Sequence, residues 1–178
     1  QQKIGSFTLG LDAYHRRSKN LIDEGQFGAP IILTPFNYAR GRIDGIEATI
    51  SYQQGPLSAY GNFAYAKAKG YNIASGQFNF SPDDLTYISK NYIYLDHDQT
   101  YTASAGVSYK MDQGFLRDSR FGASMIYGSG LRKDGDVPNG AKLTPYAVFN
   151  LTASHEFKGP GVTIRADIIN VADRVYEI

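Results

Sequence analysis

The most regular feature of this sequence is alternation. In "VTIRADI", Val162, Ile164, Ala166 and Ile168 fall on one side of an extended chain, and Thr163, Arg165 and Asp167 on the other. Successive side chains of a strand point to opposite faces, so a period of two predicts a strand with one apolar face. Six other stretches repeat the pattern. "KIGSFTLGLDAYHRR" sets Phe7, Leu9, Leu11 and Ala13 against Ser6, Thr8, Gly10 and Asp12, and "GIEATISY" sets Ile46, Ala48, Ile50 and Tyr52 against Glu47, Thr49 and Ser51. "PLSAYGNFAYAKA" is less clearly two-faced. "TYTASAGVSYK" separates Tyr101, Ala103, Ala105, Val107 and Tyr109 from Thr102, Ser104, Gly106 and Ser108. "RFGASMIYG" and "YAVFNLTASHEF" complete the set, and no convincing amphipathic helix accompanies them.

The connections alternate too. "QQGP", "MDQGFLRDS" and "KGPG" are short and rich in turn formers. The other three are long: roughly 18 residues around "GQFGAPIILTPFNYARGR", about 30 from Lys69 to Asp98, and about 14 around "LRKDGDVPNGAKLT". In an up-and-down sheet alternate connections lie at opposite ends, so the short turns share one end and the long loops the other. Outer-membrane barrels have that asymmetry. The predicted fold is all-β: an antiparallel up-and-down transmembrane β-barrel segment of about seven strands, forming an incomplete barrel as a curved sheet. A soluble β-sandwich or lipocalin-like barrel also alternates. Its core, however, needs Leu, Ile and Val bulk, whereas the apolar face here is rich in Ala and Tyr.

Composition narrows the options. With 14 Tyr, 10 Phe and no Trp, the aromatics are ones with an apolar ring, most of them also with a polar tip, suited to a boundary between oil and water. The net charge of +1, from 18 basic and 17 acidic residues, argues against nucleic acid as a partner. The absence of cysteine excludes disulfides, thiolate metal sites and a cysteine nucleophile. No apolar run is long enough for a spanning helix, and "QQKIGSFTLG" lacks the form of a signal peptide.

"GRIDGIEATISY", "LDHDQTYTASAGVSYK" and "LTPYAVFNLTASHEF" followed by "VTIRADIINVADRVYEI" resemble the C-terminal part of TonB-dependent receptors, the active outer-membrane importers of Gram-negative bacteria. The resemblance covers nearly the whole chain and rests on the order and spacing of these pieces. It implies one partial β-barrel domain over residues 1–178, with the plug domain, the TonB-contacting box and the final strand all missing. The chain would supply strands fifteen to twenty-one of a 22-strand barrel. An odd strand count leaves open edges that a bilayer does not tolerate, which also points to a fragment.

No catalytic constellation emerges, and no enzyme activity, metal site or cofactor is expected. His15, His97 and His155 lack metal-ligand spacing; His15 and His155 share the apolar parity and belong near the ends of the hydrophobic band. "KDGDVPNG" departs from a calcium loop after Asp136 and reads as a turn. Ligand-binding candidates sit on the 69–98 loop: Tyr71, Phe78, Phe80, Tyr87, Tyr92 and Tyr94, which can stack on a ligand or on one another, and the acidic group Asp96, His97 and Asp98. Lumen-facing candidates are Asp12, Glu47, Arg120, Asn150, Arg165 and Asp167, suited to pairing across strands or to touching a plug.

The resemblance implies import of a scarce nutrient, such as a ferric siderophore, cobalamin or oligosaccharide. A small-molecule ligand would be held at the extracellular loops, outer-membrane lipid would surround the wall, and the TonB complex would be reached only through the missing N-terminal region. A passive porin segment shares the strand pattern, and a soluble β-barrel binding module is the third alternative.

Overall fold

A computed structural model of the chain describes residues 1–27 and 32–177. Its elements in chain order are β1 (Gln2–Ile4), β2 (Phe7–Phe27), β3 (Ile32–Gln54), β4 (Leu57–Ser75), a 3-10 turn (Gln77–Asn79), α1 (Pro82–Ile88), β5 (Ile93–Tyr94), β6 (Tyr101–Lys110), β7 (Ser119–Gly128), β8 (Arg132–Lys133), β9 (Ala141–Lys142), β10 (Tyr146–Phe157) and β11 (Val162–Ile168). One antiparallel sheet runs β1-β2-β3-β4-β6-β7-β10-β11, with β5 added to the upper part of β4, and β8 pairs with β9 separately. The sheet is open and curved, as expected for part of a barrel.

The seven long strands correspond to the seven alternating stretches, with differences at their ends. The first stretch divides: Gly5 takes a positive φ of 58° and turns the chain between β1 and β2. The first long connection is mostly strand. β2 and β3 stay paired from Phe7↔Tyr52 up to Phe27↔Ile32, and residues 28–31 lie outside the described residues. This extension was hidden because its charged and apolar residues do not alternate, yet the backbone ladder needs no alternation to form. The 69–98 connection also begins as strand and carries α1, so the expectation of no helix is corrected. Ser81 caps α1 through Asp84 N, Pro82 opens it, and Asp83 and Asp84 sit in its first turn, all favourable at a helix start. After Ile168 the chain leaves the sheet: Asn170 accepts from Arg174 N, and Tyr176 stacks on Tyr146 at 4.5 Å.

Register assigns the faces, since directly opposite residues share a side. One face is apolar and exposed: Leu11, Ile46, Phe63, Val107, Phe121, Leu151 and Ile164 all lie open. Aromatic residues border it near the turn end (Phe7, Tyr52, Tyr109, Phe121, Phe157) and near the loop end (Tyr65, Tyr101, Tyr127). His15 and His155 lie on this face at opposite ends, as expected. The buried cluster is small and sits under the long loops: Phe36, Tyr38, Ile73, Ile88 and Ile93. A water-soluble sheet would bury its apolar face; this one buries a loop core and leaves the face bare.

On the other face, tyrosines lean over glycines of the neighbouring strand. Tyr14 lies opposite Gly45, Tyr60 opposite Gly106 and Tyr146 opposite Gly128, and Tyr38 covers Gly70. A Cβ on Gly106 would stand 2.4 Å from the Tyr60 ring. Gly106→Ala should therefore cost about 1–3 kcal/mol by overpacking, whereas Gly159→Ala, with nothing within 4 Å, should be near neutral. Urea unfolding of the two variants checks this, and equal midpoints would refute it.

Candidate functional site

The polar face carries the six lumen candidates, and the register places all of them on one side. Asp12 lies opposite Glu47, a like-charged pair, while Ser154 lies opposite both Arg120 and Arg165, and Thr152 opposite Asp167. The contacts differ from simple cross-strand ion pairing. Arg165 forks onto Asp167 two residues along its own strand, with Nε–Oδ distances of 3.0 and 2.9 Å and Nη2–Oδ1 of 2.8 Å. Arg120 donates to Ser108 Oγ at 3.0 Å. Asn150 accepts from Asn170 N at 2.9 Å, pinning the chain where it leaves the sheet. Small residues (Gly106, Ser108, Gly122, Ser124) leave a hollow of about 640 Å³ with Arg165 and Asp167 on its wall.

At the loop end the nine ligand candidates divide into groups. Tyr71 is in β4, not in a loop, and β5 places Tyr94 opposite Lys69. Tyr71 and Tyr92 pair at 5.1 Å. Tyr71 and Tyr94 thus take the parity of the apolar face, away from the polar one. Phe80 packs edge-on against Phe36 at 4.9 Å and belongs to the loop core. Phe78 is 88% exposed, and Tyr87 and His97 are also exposed.

Asp98 is buried and structural. It accepts from Ala68 N at 2.7 Å, Thr100 Oγ1 at 3.1 Å and Arg132 Nε at 3.1 Å. Arg132 also donates to Thr100 at 2.8 Å and lies 3.4 Å above the Tyr94 ring. This cluster ties the 69–98 segment to the β8–β9 hairpin. "KDGDVPNG" is indeed a turn, closed by Asn139 N donating to Asp134 at 2.9 Å.

Asp96 borders a pocket of about 430 Å³ whose charged lining sets Glu24, Asp84, Asp96 and Asp134 against Arg132 and Lys133. Burial pushes the Asp96 carboxyl above the usual range; His97 pulls against this, while Asp134 and Glu24 push further up. Nearby, Asp23 Oδ2 is buried with no hydrogen-bond partner among the described residues. The acids outnumber the cations around this partly buried hollow, a balance that favours a cationic guest over an anionic one. Among the described residues no group has the arrangement of a metal site. Sequence reasoning found Asp96 and Asp98 but missed Asp23, Glu24, Asp134 and Arg132. Asp98 and Arg132 are 34 residues apart, and no local pattern joins them.

Residues 2–171 match the family described as TonB dependent receptor-like, beta-barrel. In fold the chain is similar to copper transporter OprC, with a TM-score of 0.63 and 18% identity, covering 98% of this chain and 24% of that one. It is also similar to the FrpB iron transporter of Neisseria meningitidis (F5-1 variant). The apoprotein form gives a TM-score of 0.66, 16% identity and coverage of 98% and 26%. A second FrpB structure gives 0.67, 13% and the same coverage. At these identities the likeness is one of fold, and the chain spans about a quarter of the length of these structures. No curated protein matches it in sequence.

Proposed function

The chain belongs to the TonB-dependent receptor family, whose members are transporters and receptors and not enzymes, and from that premise we propose that it forms wall and outer loops of a bacterial outer-membrane importer. The observation that carries the reading is the two-faced sheet. Its apolar side is exposed and bordered by aromatics at both ends, and its polar side is lined by Ser, Thr, Gly and paired charges. On β6 the apolar strip from Tyr101 to Tyr109 spans about 27 Å of strand. At a tilt of about 40° this is about 21 Å of depth, close to the apolar band of such barrels. The apolar face meets lipid; Asp12, Glu47, Arg120, Asn150, Arg165 and Asp167 line the lumen. Family membership favours this over a porin or a soluble module.

The loop end holds the ligand, and the substrate class best supported is a metal-bearing one. The acidic pocket beside Asp96 suits a cationic cargo, and the similar structures are described as iron and copper transporters. Engagement with TonB belongs to parts of the receptor outside this wall. Uptake of radiolabelled iron, copper and cobalamin in cells with and without the receptor tests the reading. Metal uptake should depend on both the receptor and TonB, and should fall severalfold when Asp96 and Asp134 are both changed to asparagine. Uptake that persists without TonB would support a passive channel instead.

A further inference from the structure

Two basic residues stand side by side on β8 among the four acids of the pocket beside Asp96, and they are in different states. Arg132 is spent. Its side chain is buried, its guanidinium donates to Asp98 at 3.1 Å and to Thr100 at 2.8 Å, and it lies over the Tyr94 ring. Asp98 cancels its charge where it stands. Lys133 is uncommitted. It is exposed, and among the described residues its ammonium makes no ion pair, hydrogen bond or ring contact.

The acids are held in place without being neutralised. Asp134 accepts from Asn139 N at 2.9 Å, and Asp84 accepts from Ser81 Oγ at 2.7 Å. His97 Nδ1 lies 3.8 Å from Asp96 and offsets it only when protonated. With Arg132 cancelled by Asp98, the carboxylates of Glu24, Asp84, Asp96 and Asp134 share the field of one ammonium on a flexible stem. The hairpin fixes where that stem begins, because Lys133 pairs with Ala141 across it and Arg132 ties it to the 69–98 segment.

A cation tethered at the rim of an acidic hollow is present there at roughly millimolar effective concentration or more. It weakens the pull of the carboxylates on any other cation. Since it has no fixed partner, a guest can push it aside without breaking a bond.

We propose that Lys133 is the resident counter-ion of this pocket, tempering its affinity when empty and displaced by the cationic cargo. The inference rests on the cationic reading of the pocket given above. An import site must release what it captures. A displaceable lysine lowers affinity while leaving in place every acid that orients the cargo.

The test uses the intact receptor in detergent at one pH near neutrality and low ionic strength. The probe is hexaamminecobalt(III), a metal complex that keeps its own ligands. Lys133→Gln should tighten its binding on the order of tenfold, with a smaller gain at high salt. Lys133→Arg, which keeps the charge, should bind like the parent. So should Lys142→Gln, which removes a charge from the same hairpin outside the pocket. Unchanged or weaker binding by Lys133→Gln would overturn the proposal. Equal tightening by Lys142→Gln would also overturn it, since overall charge and not this residue would then be acting. Changing Asp96 and Asp134 together to asparagine separates the two levels. If that leaves probe binding untouched, the cationic reading of the pocket fails and the role of Lys133 with it. If it weakens binding while Lys133→Gln does nothing, only the role of Lys133 fails.

Discussion

Replacing Asp98 with alanine is expected to destabilise the outer loop assembly by about 3–5 kcal/mol. The Asp98 and Arg132 side chains are 2% and 5% exposed, so the guanidinium left behind cannot regain water. Among the described residues it would keep Thr100 Oγ1 and the Tyr94 face. The loss should be local, because the carboxylate clamps Ala68 N and the β8–β9 hairpin and not the lower strands. Hydrogen exchange at Ala68 and in the hairpin should accelerate strongly, with little change in β10 or β11. Arg132→Met should behave similarly. Asp98→Leu combined with Arg132→Met should cost less than either single change, because no buried charge is then left alone. Exchange rates unmoved by Asp98→Ala would show that the pair is not what joins the two segments.

Arginine placed at Ala105 is expected to cost about 2–4 kcal/mol of folding free energy in a bilayer. Ala105 is central in the apolar strip of β6, between Gly61 and Met125 of its neighbours. Arginine at Ser104, one residue earlier, should cost much less, because Ser104 faces the polar side opposite Asn62 and accepts from its side chain. Urea titration of folding into vesicles measures both. Equal costs would contradict the assignment of faces, since one residue of shift reverses every side chain.

How far the sequence disclosed this structure depended on the solvent around each segment. Between Phe7 and Ala13, or Tyr101 and Tyr109, one face is apolar and the other wet, and the contrast writes itself into the residues. Above Ala13 neither face is uniformly apolar, and exposed Ile22 and Leu33 are mixed with charged residues. There the strand from His15 to Phe27 looks like a charged connection, although its ladder to β3 continues. The signals for α1 were present in "SPDDL" but spanned too few residues to show a helical period. The polar-face candidates were legible because parity alone assigns them. The loop candidates were not: whether Tyr71 points to one side or the other depends on register, and whether Asp98 is free or buried depends on Arg132.

The tyrosines seated over Gly45, Gly106 and Gly128 bear on how such a sheet reaches its final pairing. A neighbouring strand that arrives one step out of place sets its side chains on the wrong faces, and two steps out it offers each ring a different residue. Along β6 the positions two away from Gly106 are Ser104 and Ser108, whose Cβ atoms would meet the Tyr60 ring where it now lies against glycine. The pairs thus work as detents: a misaligned strand remains loosely held and can slide on until each ring drops into its notch, so that errors are corrected before the wall closes.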